Sequence, residues 1–250
     1  NGIIYITGPT GSGKTTTMYM ALERFTQKQI NISSIEDPVE RNLDGINQVQ
    51  VNNMAGLTFS AGLRSLLRQD PDIIMVGETR DAETASISVS AAITGHLVIS
   101  TLHTNDALTS IVRLEDMGVP PYLVGNSVVG LIAQRLIRKI CPHCMAESEA
   151  SDVELLTLGL TREQCPTIKR GEGCHVCNNT GYKGRIAIHE IVLVDKRMQR
   201  MIAEEAPMST IYEYARREKN MATLRERARD LVQEGVTSME EFLKIGESVD

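Results

Sequence analysis

The stretch Ile3-Ile4-Tyr5-Ile6-Thr7, Gly8-Pro9-Thr10-Gly11-Ser12-Gly13-Lys14-Thr15 and the run on to Gln27 decides the fold. Ile3 to Thr7 reads as a strand, and Thr15 to Gln27 has the apolar spacing of a helix. Between them GxxxxGK[ST] is matched without substitution, directly after a strand and opening a helix, which is the context a phosphate-binding loop requires. The glycines let backbone N–H groups converge on phosphate oxygens, and the helix adds the positive end of its dipole. Gly8, Thr10, Gly11, Ser12, Gly13, Lys14, Thr15 and Thr16 are therefore the candidate nucleotide-binding residues. Lys14 is expected to reach the β- and γ-phosphates, Thr15 to give its hydroxyl to Mg²⁺, and Thr16 to touch the α-phosphate of ATP.

Working outward, strand-like runs recur at Ile32–Glu36, Ile73–Gly77 and Leu97–Thr101, separated by helical patterns, so the sheet is expected to be parallel and α/β. Ile73–Val76 and Leu97–Ile99 are continuously apolar, as strands covered on both faces are. Thr58 to Gln69 predicts a helix stopping before Asp70–Pro71, because the residue before proline disfavours helix. After Pro120–Pro121 the pattern turns mostly helical, with Ala133 to Ile140 running into Cys141. Gly171 to Gly184 reads as a Gly- and Cys-rich hairpin-like stretch. Met198–Glu204, Thr210–Lys219, Thr223–Glu234 and Ser238–Ile245 read as short amphipathic helices, with a Ser238/Glu241 capping box on the last.

Hydrolysis needs acids beside the metal and the attacking water. Ile73-Ile74-Met75-Val76-Gly77-Glu78 ends a core strand with Gly77 where many P-loop enzymes carry the metal-directed Asp, leaving Glu78 to orient or activate water. Ile35-Glu36-Asp37-Pro38-Val39-Glu40 places three carboxylates at another strand end, where they could serve metal and water. A solvated acidic turn would have the same composition. His96 and His103 bracket the strand Leu97–Thr101 and are candidate γ-phosphate sensors, with hydrogen-bonded structural histidines as the alternative.

The chain has 250 residues, 42% of them hydrophobic, enough for one large core with a small appendage. No apolar run approaches the roughly 20 residues of a bilayer span. A net charge of -6 and nine aromatics disfavour nucleic acid. Its best basic candidates are Arg135, Arg138, Lys139 and the region 216–229. The chain starts two residues before an apolar run with no initiator Met, as expected of a piece of a longer protein. Four of its five cysteines form two knuckles, Cys141-Pro142-His143-Cys144 and Cys174-His175-Val176-Cys177. This spacing suits tetrahedral Zn²⁺ and a reducing compartment better than a disulfide framework. Cys165 is left over, and His143 and His175 stand near as substitute ligands.

Four motifs in order resemble one family, the hexameric ATPases of bacterial type II secretion and type IV pilus assembly. GPTGSGKTTT looks like its Walker A, IEDPVE its acidic box, LLRQDPDIIMVGETRD its Gly-Glu Walker B and AAITGHLVISTLHTN its His box; the similarity covers essentially the whole chain. The resemblance implies Glu78 as the water-activating residue, Asp37 and Glu40 as metal- and water-side acids, and His96 and His103 as a nucleotide-sensing pair. Arg64, Arg68 and Arg80 lie where positive charge could stabilise phosphate oxygens or bridge subunits. The tetracysteine subdomain resembles the secretion and pilus-extension branches rather than retraction motors.

The resemblance implies a RecA-like P-loop NTPase sheet with an inserted zinc-binding subdomain and a C-terminal helical portion. The division is 1–138 ATPase core, 139–184 tetracysteine zinc subdomain and 185–250 C-terminal strand and helices. ATP, Mg²⁺ and Zn²⁺ are the implied cofactors. Implied partners are five further copies in a hexamer and the platform and adaptor proteins at the cytoplasmic face of the inner membrane, through which association with the membrane would be peripheral. A RecA-like motor acting on nucleic acid and a nucleotide-gated scaffold with little turnover are the competing classes.

Overall fold

A computed structural model describes residues 1–246. In chain order it contains β1 (Gly2–Thr7), α1 (Lys14–Thr26), β2 (Ile32–Glu36), β3 (Asn47–Gln50), α2 (Phe59–Leu66), β4 (Ile73–Val76), α3 (Ala82–Ile93) and β5 (Leu97–Leu102). It continues with α4 (Thr109–Asp116), α5 (Pro121–Ser127), β6 (Val128–Ile140), β7 (Met145–Glu149), α6 (Asp152–Leu158), β8 (Thr167–Gly171) and β9 (Tyr182–Leu193). The last helices are α7 (Lys196–Ala203), α8 (Met208–Glu218), α9 (Leu224–Gln233) and α10 (Met239–Gly246).

The chain forms two compact units, Asn1–Gln134 with Ile191–Met221, and Arg135–Glu190 with the residues from Ala222 onward. It passes between them within β6 and again within β9. These cuts differ from the three-way division read from the sequence, which stays a proposal.

The sheet is ordered β3-β2-β4-β5-β1-β6-β9, and its first five strands lie wholly in the first unit. The five pairings from β3 through to β6 in that order are all parallel. The parallel α/β expectation therefore holds. β4 is apolar and buried along its whole length because helices cover both faces, so no alternation of polar residues is possible. Met18, Tyr19 and Leu22 of α1 pack with Ile6, Ile32, Ile73, Met75 and Ile99 into the core below the phosphate loop. Each such side chain removed from water contributes about 1.5–3 kcal/mol. α2 begins where the sequence predicts, with the Thr58 hydroxyl accepting from the Ala61 N–H at 3.2 Å, and ends at Leu66.

β6 corrects the helical reading of 133–140. Pro121 starts α5, but from Val128 the chain is a 13-residue strand. Its apolar residues satisfy helical spacing as well as alternation, and strand pairing decides between them: Val128–Ala133 lies along β1, with Tyr5 opposite Leu131 and Thr7 opposite Ala133, and β9 is the neighbour on the other side.

In the second unit β7 and β8 pair antiparallel, Met145 opposite Gly171 and Glu149 opposite Thr167. The stretch 171–184 holds the second knuckle, with a short 3-10 turn at His175–Cys177, rather than a simple hairpin. Gly171 and Gly181 cross so closely that a Cβ on Gly171 would lie 2.0 Å from the Gly181 carbonyl oxygen. The predicted Ser238/Glu241 box is half made. The Ser238 hydroxyl accepts from the Glu241 N–H at 3.5 Å, whereas the Glu241 carboxylate is engaged by the Arg138 N–H at 2.8 Å and Nε at 3.0 Å. Among the described residues, no helix is long and apolar enough to cross a membrane.

Candidate nucleotide site and metal centre

The phosphate loop leaves the C-terminal end of β1 and enters α1 through three glycines of positive φ, Gly8 (147°), Gly11 (78°) and Gly13 (86°). No side chain caps α1 and no acid occupies its first turn, so its opening N–H groups are left for an anion. The Lys14 ammonium lies over the loop, donating to the carbonyls of Gly8 at 2.7 Å and Pro9 at 3.1 Å. The loop fits a phosphate on two counts. The Ser12 hydroxyl is buried with no hydrogen-bond partner, and a Cβ on Gly8 would stand 2.4 Å from the Gln134 carbonyl oxygen. The chain thus keeps a backbone-lined cradle that a side chain would fill.

Glu78 comes directly after Gly77 at the end of β4, on the same sheet edge. One carboxylate oxygen meets the Arg80 guanidinium at 2.5 Å and the other the His103 Nε2 at 2.9 Å. Burial pushes this carboxyl up, but the Arg80 and His103 hydrogen bonds and charges outweigh it and hold it below the ordinary carboxylate range. The carboxylate beside Arg80 raises the guanidinium in turn, and Asp37 adds to its field. His103 is placed by the turn after β5, where the Thr104 N–H donates to the Thr7 hydroxyl at 2.7 Å. That bond ties the His103 segment to the strand that carries the phosphate loop.

The acidic box splits into two kinds of carboxylate. Glu36 is buried and accepts from the Tyr19 hydroxyl, from the Ser34 hydroxyl at 2.6 Å and from Gln48 Nε2 at 3.0 Å. The Glu40 N–H donates back to the Tyr19 hydroxyl at 3.1 Å. Asp37 and Glu40 stay exposed. Glu36 is therefore a fastening of the box to α1, and only the other two carboxylates face solvent.

His96 and His103 do not come together. His96 precedes β5, its Nδ1 within hydrogen-bond distance, 2.9 Å, of the Ala91 carbonyl, and its own carbonyl accepts from the Gly2 N–H at 3.1 Å. It stands at the N-terminal edge of the sheet, the six residues of β5 and roughly 20 Å from the phosphate-loop edge. Arg64 also turns elsewhere, pairing with Glu83 at 2.9 Å beside an open hollow of about 500 Å³ that Arg68 also lines.

Two residues that belong to none of the four motifs' expected roles complete the site. Tyr19 links the phosphate-loop helix to the acidic box, and Gln134 bonds the phosphate loop itself. Gln134 has one signal in the sequence, a polar residue at the end of the otherwise apolar run Val128–Ala133.

In the second unit Cys141, Cys144, Cys174 and Cys177 converge, all four sulfurs within 4.8 Å of one another. The Cys141–Cys174, Cys144–Cys177 and Cys174–Cys177 sulfurs lie 4.0, 3.8 and 3.8 Å apart. Four thiolates on a tetrahedral metal at about 2.3 Å would be ~3.8 Å apart, so the set fits a closed metal site. The cysteines are unbridged. The N–H groups of Gly173, Cys174 and Gly181 donate to Cys144 or Cys177 sulfur at 3.2–3.3 Å, as backbone donors around metal-binding thiolates do. Burial pushes the Cys177 thiol up, but the Cys174 and Gly181 N–H groups draw it down to about 6. Cys165 lies apart, against the Thr167 carbonyl at 3.4 Å.

A family model described as "Type II/IV secretion system protein" matches residues 1–244. This chain belongs to that family. Within the type II/IV secretion family it is 46% identical over 245 residues to a type II secretion system protein E of Pseudomonas aeruginosa, covering 98% of this chain and 48% of the relative. It is 50% identical over 244 residues to a type IV pilus assembly ATPase PilB of Thermus thermophilus, covering 97% of this chain and 27% of that one. The chain thus spans about half or less of the length of these family relatives. The crystal structure of the pilus retraction motor PilT with bound ADP is similar over 100% of this chain and 62% of its own, at TM-score 0.73 and 29% identity. The fold of this family member is accordingly that of PilT-like ATPases, and the resemblance drawn from four motifs holds across the chain.

Proposed function

We propose that this chain is the nucleotide-hydrolysing region of a ring-forming motor ATPase that powers type II secretion or type IV pilus extension. The observation that carries it is Glu78, a carboxylate held ionised between Arg80 and His103 at the phosphate-loop edge of the sheet. β4 and β1 are separated by β5 alone, so Glu78 and the loop stand about 10 Å apart across the sheet, room for a γ-phosphate and a water. The loop N–H groups and Lys14 would bind the phosphates of ATP, with Thr10, Gly11 and Thr16 around them. The Thr15 hydroxyl would take Mg²⁺, which when bound neutralises phosphate charge. Glu78 would orient the attacking water and accept its proton, and Asp37 and Glu40 would supply water and metal contacts from the next strand. Arg80 and His103 keep the Glu78 carboxylate aimed. His96 falls outside this constellation within one chain.

The four cysteines would hold Zn²⁺ as a structural ion, since four thiolates leave no open position for chemistry. The names of these relatives support secretion or pilus assembly; the hexameric ring, its platform and adaptor proteins and its place at the cytoplasmic face of the inner membrane are part of what we propose. In the full-length protein Glu78→Gln is expected to abolish ATP turnover while ADP and ATP still bind, and Lys14→Ala to weaken both binding and turnover. Turnover undiminished in Glu78→Gln would overturn the reading.

A further inference from the structure

Gln134 is 1% exposed, sits in β6 one residue past the partner of Thr7, and uses one end of its amide on the phosphate loop and the other on the helix that follows it. Its Nε2 donates to the Ser12 carbonyl at 2.7 Å, and its Oε1 accepts from the Thr17 hydroxyl at 2.7 Å. Thr17 is itself one turn into α1, its N–H bonded to the Gly13 carbonyl at 3.1 Å. The two contacts are complementary. Because the Ser12 carbonyl can only accept, the amide is fixed with its NH2 toward Ser12, and the Thr17 hydroxyl is left to donate to the oxygen.

The Ser12–Gly13 peptide is planar and trans, so its carbonyl and its N–H point in opposite directions. Holding the Ser12 carbonyl against Gln134 turns the Gly13 N–H the other way, toward the cradle side of the loop. Gly13 has φ 86°, ψ 19°, a backbone that glycine adopts without strain and from which the peptide could turn if it were not held. We infer that Gln134 is a positioning residue for nucleotide binding: it sets the orientation of the Ser12–Gly13 peptide, and thereby aims a phosphate-binding N–H, with Thr17 holding the oxygen end of its amide. The inference rests on the reading of the loop as a nucleotide site and adds the residue that orders it. Nothing in the P-loop pattern specifies it, since Gln134 lies more than a hundred residues downstream.

The test uses the full-length protein and ADP as the probe. Gln134→Glu keeps the shape and the acceptor for Thr17 but presents an oxygen without a proton to the Ser12 carbonyl. ADP affinity is expected to fall about tenfold at pH 8, the loss of a buried hydrogen bond that leaves a carbonyl facing a carboxylate. It is expected to recover toward the wild-type value measured at the same pH as the solution is acidified and the introduced carboxyl gains a proton to donate. Gln134→Met should lose affinity without any such recovery. Thr17→Val should weaken binding less, and combined with Gln134→Met should add almost nothing, because both substitutions break one device. A packing role alone would lower thermal stability without a pH-dependent rescue. If Gln134→Met fails to fold, the Gln134→Glu pH series decides alone. ADP affinity within twofold of wild type in Gln134→Glu, or an equal deficit at pH 8 and pH 5.5, overturns the inference. Wild type that binds no ADP, or binds it independently of Lys14, overturns the nucleotide reading instead.

Discussion

Single side chains in this protein do unlike work with like chemistry. Glu36, Asp37 and Glu40 are three carboxylates in five residues, yet Glu36 is buried under three donors and the other two face water. What separates them is Tyr19, a residue of α1 whose hydroxyl donates to Glu36 and accepts from the Glu40 N–H. Tyr19→Phe removes both bonds and leaves a buried carboxylate short of a donor. Unfolding in urea is expected to show a loss of about 1–3 kcal/mol. Because the Glu40 segment would lose its fastening while the phosphate loop keeps its own, kcat should fall more than the KM for ATP rises. An unchanged kcat with the stability loss would mean that Tyr19 only packs.

At the scale of elements, β1, the loop and α1 are legible in the sequence because their signals are local: strand, glycines and helix succeed one another within 27 residues. The acidic box is legible as acidic but not as divided, since its burial depends on Tyr19 from another element. The C-terminal half of β6 reads as helical because Val128–Ile140 fits both periods, and only its sheet neighbours β1 and β9, both outside that stretch, select the strand. Nearness in sequence groups His96 with His103, whereas a strand between two residues sends them to opposite edges of a sheet. The contact between α5 and α7 leaves no local signal either. A Cβ on Gly125 would lie 2.5 Å from the Gln199 carbonyl oxygen and 3.2 Å from the Ala203 nitrogen, both backbone atoms. Gly125→Ala should therefore push two helices apart and cost about 1–3 kcal/mol. Gly62→Ala in α2 meets the tip of the Ile35 side chain at 2.5 Å, which can turn, and gains helix propensity of about 1 kcal/mol. Thermal melts of the two variants should rank Gly125→Ala as the more damaging; the reverse order would mean that α5 and α7 are free to separate.

For the whole molecule, the two units carry different kinds of stabilisation. The first is held by a parallel sheet with helices on both faces, so its core strands need nothing but burial. The second has short strands, a knuckle in which Gly171 and Gly181 cross backbone to backbone, and four sulfurs drawn together from positions 141 to 177. Four thiols at 3.8–4.0 Å attract one another only weakly, whereas a zinc ion joining them would supply folding free energy of about 10 kcal/mol or more, as in small zinc-bound domains. Metal analysis is therefore expected to find one zinc per chain, lost in Cys144→Ser and retained in Cys165→Ser, because Cys165 lies apart from the cluster. Stripping the metal with a chelator should raise amide hydrogen exchange across 141–181 by orders of magnitude, since the N–H groups of Gly173, Cys174 and Gly181 lose the thiolates that order them. β4 and β5, whose protection comes from burial in the first unit, should exchange as before. Zinc that stays bound in Cys144→Ser, or exchange at 141–181 unmoved by its removal, would show that the knuckles are held by their backbone crossing and not by the metal.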